Sequence, residues 1–531
     1  MTRKEKRKKI IQKYLRWLPK RKINLSILGG VLFFFTTPPF NLWILGFFLF
    51  IPFFMIEEEE ENWGKIFIYG WIFGLVMYFT SFFWLVDTIQ IFGGLPYTAS
   101  IFVYIFFCLI FALKYAFFFW IAKMFRTYGI PKFLSYGSAL LIVEIFYPEI
   151  FPFYVGNSQL ANYYFIQIID AVGIKGMSFI LVLCNSLIYD FIFARNRKIM
   201  LILASLVFMV YSYGIIRVIQ IKEHQSKAPF LNIGIIQPDT PFITSITQTT
   251  LRMIDQTVLE QTRNLIEKAG EDKLDLIVWP ESATPFQISE GAYADQFLLS
   301  EMKKIIEKEK VGFIFSEIDL DAYFKGKNLY STATIMGTDG KKLDSYNKIY
   351  LLPFGEYLPL GGFFPSLYNL FPQVGKFQSG TEIKNFQFKG INLSPQICYE
   401  IINPDLVRKF VRKGGDVIIN LTNDKWFGQT NASLYHLWLL VPRAIENRVP
   451  LVRATNSGIS AVIDQTGEMI AGPTDIFVKD ILSAKVFIVK RIFGLYSYIG
   501  DFLLIFIILF SLYLVYKDKY IYKTHLQFPK S

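Results

Sequence analysis

The sequence predicts a layered α/β domain carried on a bundle of eight membrane-spanning helices. Three observations predict it. The 531 residues are 53% hydrophobic and 18% aromatic, with a mean hydropathy of +0.36, too apolar for a soluble chain. Apolar runs fill the first part of the chain and return once near its end. Between them, from about Ala228 to Lys490, the composition becomes that of an ordinary globular domain, with strand and helix patterns in alternation.

The apolar runs come first. They cover Leu25 to Phe35, Leu42 to Ile56, Ile66 to Val86, Ala99 to Ala122, Leu134 to Ile150, Phe165 to Phe193 and Ile199 to Ile216, and an eighth covers Phe502 to Val515. The first two are short for a span of about 20 residues. The net charge of +12 is not a nucleic-acid signal, because the basic excess crowds Arg3 to Lys22, as the positive-inside rule asks of a cytoplasmic end. No small-residue cleavage site follows, so an uncleaved start is expected. Lys123 and Arg126, then Arg195, Arg197 and Lys198, mark further inside loops, and Lys517, Lys519 and Lys523 put the C-terminus inside. The seventh span then delivers the globular domain to the outer side. The expected organisation is a basic tail (1–23), seven spans (24–220), the globular domain (228–490), an eighth helix (496–516) and an inside tail (517–531). Tyr496 and Tyr498 are expected as interfacial anchors. Glu57 to Glu61 reads as a solvated loop. Glu144, inside the fifth run, is either a functional acid or a hydrogen-bonded packing residue. The sequence carries no internal repeat of the transporter kind.

In the globular domain, strands are expected at Leu231 to Gln237, Leu274 to Trp279, Gly312 to Ile318, Leu329 to Met336, Leu343 to Ile349, Ile391 to Ile397, Asp416 to Leu421, Pro450 to Thr455 and Ile459 to Ile463. Asp339-Gly340 and Gln465-Thr466-Gly467 mark hairpin turns. Helical patterns occupy Leu251 to Ala269, Ala292 to Lys308, Asp405 to Lys413 and Ser433 to Asn447.

Three strand ends carry chemistry. Cys398 follows the run Ile391 to Ile397 and is the only cysteine outside the apolar spans; Cys108 and Cys184 lie within them. It is a candidate nucleophile or a buried core thiol. A thiol is mostly protonated at neutral pH and needs a base or a cation nearby. Glu281, in Trp279-Pro280-Glu281, is a candidate base. Lys348, in Tyr346-Asn347-Lys348, is a candidate stabiliser of the thiolate and of an oxyanion. A Cys–His dyad is the rival arrangement, and only His436 is placed to serve it. No CxxC or HExxH pattern occurs, which argues against zinc.

WPESATP, YNKIYLLPFGEYLP, ICYE, TNDKWFG and RATNSGISAVID together resemble the carbon–nitrogen hydrolase (nitrilase) superfamily. With the surrounding spans they resemble its membrane branch, the apolipoprotein N-acyltransferase family. The resemblance implies an αββα sandwich mounted on eight membrane helices. It implies a Glu–Lys–Cys triad at Glu281, Lys348 and Cys398, with Glu356, Tyr399 and Glu400 in support and neither metal nor organic cofactor. It also implies an enzyme of the bacterial inner membrane with its catalytic domain in the periplasm. The expected donor is a membrane glycerophospholipid and the expected acceptor the diacylglyceryl-cysteine of an apolipoprotein, with a thioester between the two steps. A single chain is expected to suffice, with no nucleic-acid partner. Family members often carry a Lys-Trp pair after the first strand's Gln. Here Gln237 is followed by PDTPFITSITQ, and Phe242 is the nearest aromatic residue. The family's Gln-His pair after WFG is Tyr435-His436 here. The apolar stretch between Gly355 and Gly380, from Tyr357 to Phe371, is expected to act as a lipid-facing lid, or else to be core.

Overall fold

The computed structural model describes residues 21–194, 197–241, 247–283, 287–289, 295–318, 329–489, 492 and 494–527. The basic residues Arg3 to Lys20, and Phe242, lie outside them. The chain divides into two compact units. Met1–Val86, Tyr97–Val218 and Ile499–Ser531 form one, and Asp87–Pro96 with Ile219–Tyr498 form the other.

The first unit is helical. Four segments are long and apolar enough to cross a membrane among the described residues: Trp63–Ser81, Tyr97–Thr127, Phe165–Phe193 and Arg197–Gln225. Small residues let the backbones close. A Cβ at Gly70 would meet the carbonyl of Tyr115 at 2.8 Å, and one at Gly74 the carbonyl of Ala112 at 2.6 Å. The run Leu42 to Ile56 is not one helix. Trp43–Phe47 is a single tight turn and Ile51–Glu59 a separate helix, about 14 Å long and short of an apolar core of about 30 Å. The break is built in: the Asn185 side chain accepts from Phe50 N (3.0 Å) and donates to the Gly46 carbonyl (2.9 Å).

The acidic run is a correction. Glu57, Glu58 and Glu60 are buried. Arg21 pairs with Glu59, Lys22 with Glu60 at 2.8 Å, Lys123 with Glu61 at 3.4 Å, Arg126 with Glu57 at 3.5 Å and Lys132 with Glu58 at 3.6 Å. Acids at a helix C-terminus oppose its dipole, and these cations offset that. Glu144 is buried. Its Oε1 accepts from Val155 N at 2.8 Å and Ser178 Oγ at 3.0 Å, pinning the irregular segment that follows its helix, Lys132–Phe146.

The second unit contains, among the described residues, strands β1 (Phe230–Gln237), β2 (Leu276–Val278), β3 (Gly312–Ile318), β4 (Ser331–Met336), β5 (Lys342–Asn347), β6 (Phe386–Phe388), β7 (Ile391–Ile397), β8 (Val417–Thr422), β9 (Leu451–Thr455), β10 (Ala461–Ile463), β11 (Met469–Ala471) and β12 (Asp480–Phe487). They form two sheets, ordered β12-β1-β2-β3-β4-β5 and β11-β10-β9-β8-β7-β6. Each sheet has a parallel centre, β1-β2-β3 or β7-β8-β9, with antiparallel flanks. Alternate residues meet between the sheets: Ile233, Ile235, Val278 and Ile314 from one, Leu393, Ile397, Ile419 and Val452 from the other. The outer face of the first sheet, with Ile277, Trp279 and Phe313, packs on helices Gln248–Ala269 and Gln296–Glu309. Those helices start where Thr247 and Asp295 accept from Thr250 N and Leu298 N. Helix Ala432–Asn447 lies on the outer face of the second sheet, where His436 meets Arg453. The result is an α/β sandwich with helices outside both sheets. Tyr496 is buried, not an interfacial anchor, while Tyr498 is exposed.

Candidate active site

Cys398 sits at the end of β7 with φ +50°, a left-handed conformation that costs a residue with a Cβ about 1–2 kcal/mol. Ser282, next to Glu281, and Phe354, two residues before Glu356, share it at φ +54° and +63°. Strained backbone therefore lies in all three loops that carry the expected residues.

The structure brings Glu281, Lys348, Glu356 and Cys398 together. Lys348 follows β5, its side chain 1% exposed; Nζ lies 2.7 Å from Glu356 Oε1 and 3.8 Å from Glu281 Oε1. The Glu281 charge acts on the Cys398 thiol and pushes it up, and Glu281 accepts from Asn423 N at 3.1 Å. Glu356 Oε2 accepts from Leu352 N at 2.7 Å, closing its own loop. Burial pushes the Glu281 carboxyl up to about 7, with Lys348 opposing and Glu356 adding to the rise. Burial pushes the Cys398 thiol well up, the Glu281 charge adds to that, and Lys348 opposes it. Burial acts to lower the Lys348 ammonium, but Glu356 and Glu281 more than offset it and hold the lysine charged. The resting site is thus a neutral thiol beside a carboxyl poised to take its proton, with a fixed cation on the far side.

Glu400 and Tyr399 do not point at this group. Glu400 Oε1 accepts from Tyr346 Oη (2.6 Å), Ile349 N (2.7 Å) and Tyr350 N (3.1 Å), and Oε2 accepts from Ile397 N (2.8 Å). It ties the residues on both sides of Lys348 to the residue before Cys398. Tyr399 stacks on Tyr350 with rings 5.2 Å apart. His436 is not placed as the cysteine's base: its Nδ1 faces Asp424 Oδ1 at 2.9 Å.

Sequence reasoning gives no role to Asn420, inside β8 just before the TNDKWFG motif. Asn420 Nδ2 donates to the carbonyls of Gln396 (3.2 Å) and Cys398 (3.4 Å), and Arg453 Nη1 holds Asn420 Oδ1 at 2.7 Å. The signal was the polar Thr-Asn-Asp following an apolar strand. Segment Asp87–Pro96 was also passed over. Phe92 packs on Trp426 with rings 4.7 Å apart, and Gln373 Nε2 donates to the Gly93 carbonyl at 2.8 Å. The stretch Tyr357 to Phe371 is not core at its tip: Leu358 is buried, but Leu360, Phe363 and Phe364 are 63%, 84% and 59% exposed.

Two family profiles match the chain: carbon–nitrogen hydrolase over residues 243–488, and apolipoprotein N-acyltransferase N-terminal domain over residues 29–187. Among curated proteins, an apolipoprotein N-acyltransferase of Geobacter metallireducens is 28% identical over 487 residues, 88% of this chain and 90% of its own. Apolipoprotein N-acyltransferase 2 of Leptospira interrogans is 28% identical over 89% of this chain and 91% of its own. The Aquifex aeolicus apolipoprotein N-acyltransferase is 28% identical over 85% of this chain and 95% of its own. Among solved structures, a Saccharomyces cerevisiae member of branch 10 of the nitrilase superfamily is similar over 49% of this chain and 92% of its own, at 18% identity and TM-score 0.37.

Proposed function

The chain belongs to the apolipoprotein N-acyltransferases of the carbon–nitrogen hydrolase superfamily, and we propose that it moves an acyl group from a membrane glycerophospholipid to the N-terminal diacylglyceryl-cysteine of apolipoproteins through a thioester on Cys398. The observation that carries this reading is the buried Lys348 ammonium, 3.8 Å from Glu281 and 2.7 Å from Glu356, with the Lys348 and Glu281 charges both acting on the Cys398 thiol.

In the first half-reaction Glu281 takes the thiol proton as Sγ bonds to the ester carbonyl carbon. Lys348, held between two carboxylates, faces the developing oxyanion, an interaction of a kind worth about 10²–10³ in rate. The C–O bond breaks, and the lysophospholipid oxygen takes the proton back from Glu281. In the second half the neutral α-amine attacks the thioester. Its proton passes to Glu281, the C–S bond breaks, and the sulfur recovers that proton. Glu356 keeps Lys348 in line, and Glu400 couples the lysine loop to the nucleophile. The same reading places the enzyme in the bacterial inner membrane as a single multi-pass chain. The α/β unit is then periplasmic, both termini are cytoplasmic, and Phe363 and Phe364 reach into the outer leaflet as part of a lid over the lipid entry.

Intact mass spectrometry after incubation with phospholipid tests it. A fatty-acyl increment is expected on wild type and not on Cys398→Ala, cleared by a diacylglyceryl-cysteine peptide that becomes N-acylated. An increment cleared equally fast by water alone makes the protein a hydrolase, and no increment with any lipid refutes acyl transfer.

A further inference from the structure

β8 ends against the nucleophile. Ile397 pairs with Leu421 in the parallel register, so Cys398 and Thr422 leave neighbouring strands side by side. Thr422 is fully buried, and its hydroxyl acts to lower the Cys398 thiol against the rise that burial causes. The same hydroxyl oxygen lies 3.4 Å from Asp424 Oδ1, a long contact for two oxygens. Asp424 is fixed from two other directions, by Arg453 Nη2 at 2.6 Å on Oδ2 and by His436 Nδ1 at 2.9 Å on Oδ1. Burial alone would raise its carboxyl, but the Arg453 guanidinium and His436 more than offset that and keep it ionised. An ionised carboxylate only accepts, so at rest the Thr422 hydroxyl donates to Asp424.

Building on the reading of Cys398 as the nucleophile, we propose that Thr422 is a further catalytic residue whose hydroxyl donates to Asp424 at rest and turns to donate to the thiolate once Glu281 has taken the proton. One proton moves, from Sγ to the Glu281 carboxylate; Thr422 only rotates about its C–O bond. The long contact to Asp424 is what lets it turn. A hydrogen bond to a full charge on sulfur outweighs a stretched one to a carboxylate already satisfied by a guanidinium and an imidazole. Arg453 serves both ends, since it also holds Asn420, which in turn holds the Cys398 carbonyl.

The test uses the full-length protein as Thr422→Val, Thr422→Ala and Thr422→Ser. Two rates are read per folded molecule. One is alkylation of Cys398 by iodoacetamide, followed by peptide mass to separate it from Cys108 and Cys184. The other is acyl-enzyme formation from phosphatidylethanolamine and phosphatidylglycerol in detergent micelles. Val and Ala are expected to slow both about tenfold with an unchanged KM for lipid, the scale of one hydrogen bond to a charged group, and Ser to stay within about twofold of wild type. The proposal is overturned if a folded hydroxyl-free variant keeps both rates within about twofold, or if Ser is as slow as Val. It is equally overturned if only the yield of folded protein falls. Acyl-enzyme persisting in Cys398→Ala instead overturns the reading of the nucleophile, which separates the two failures.

Discussion

Replacing Glu400 by Gln tests how far the site depends on one buried carboxylate. Three donors converge on Oε1 and one on Oε2. A glutamine does best by giving its oxygen to the three. Its NH₂ then faces Ile397 N–H, donor against donor, and an unmet buried donor costs about 1–3 kcal/mol. The three remaining bonds lose their charge assistance, at about 0.5–1 kcal/mol each. Against this, burial raises the Glu400 carboxyl, so removing the charge returns a part of the loss. The net expectation is a loss of about 3 kcal/mol, or roughly 6–12 °C in Tm for a unit of this size. Because the same carboxylate joins the flanks of Lys348 to the strand end before Cys398, acyl-enzyme formation should fall about 10²-fold in the protein that stays folded. The assay is thermal unfolding of the detergent-solubilised protein beside single-turnover acylation. A Glu400→Gln protein melting within about 2 °C of wild type and acylating within about twofold refutes the reasoning.

Three further outcomes are expected. Glu281 acts as a carboxylate and its pKa is raised to about 7, so acyl-enzyme formation should be slow in acid and rise with pH to a plateau above neutrality. A flat pH–rate profile from acid to neutral excludes it as the base. Lys132→Met removes the buried cation that faces both Glu58 at 3.6 Å and Asp190 at 3.9 Å and should cost about 3–5 kcal/mol, read as thermal stability in detergent. Replacing Phe363 and Phe364 together by Ser should slow acyl-enzyme formation from lipid about tenfold at unchanged Tm, because both rings are exposed. A fall in folded protein would make them core.

What was legible in the sequence was local. The run into Cys398 forms β7, the Asp339-Gly340 turn joins β4 to β5, and helices at Gln248–Ala269 and Ala432–Asn447 form where the pattern places them. What was not legible depends on distant partners. Glu57 to Glu61 reads as solvated because nothing local shows Lys123 or Lys132 returning to it on later helices. β12 has no partner nearby, since it pairs along all eight residues with β1, the first strand of the unit. Asp424 and Arg453 look like surface polar residues, and His436 reads as a rival base for the cysteine. Only the parallel arrangement of β7, β8 and β9 buries them together under Cys398. The resemblance implies a supporting role for Glu400, and the direction of that support, back toward Tyr346, is a tertiary fact.

The division of these side chains between the sheets has a consequence for how activity relates to packing. Glu281 and Lys348 hang from the ends of β2 and β5, and Cys398 and Thr422 from the ends of β7 and β8. Base and cation therefore belong to one jaw, and nucleophile and hydroxyl to the other. The apolar seam between them, with Ile235 and Val278 meeting Ile397 and Leu421, sets the alignment of the jaws. A slip of about 1 Å along that seam displaces the sulfur from the base by as much, enough for about a hundredfold in rate. A methyl group lost from the seam is thus felt at the sulfur, and the acylation rate becomes a gauge of sheet registration more sensitive than unfolding itself.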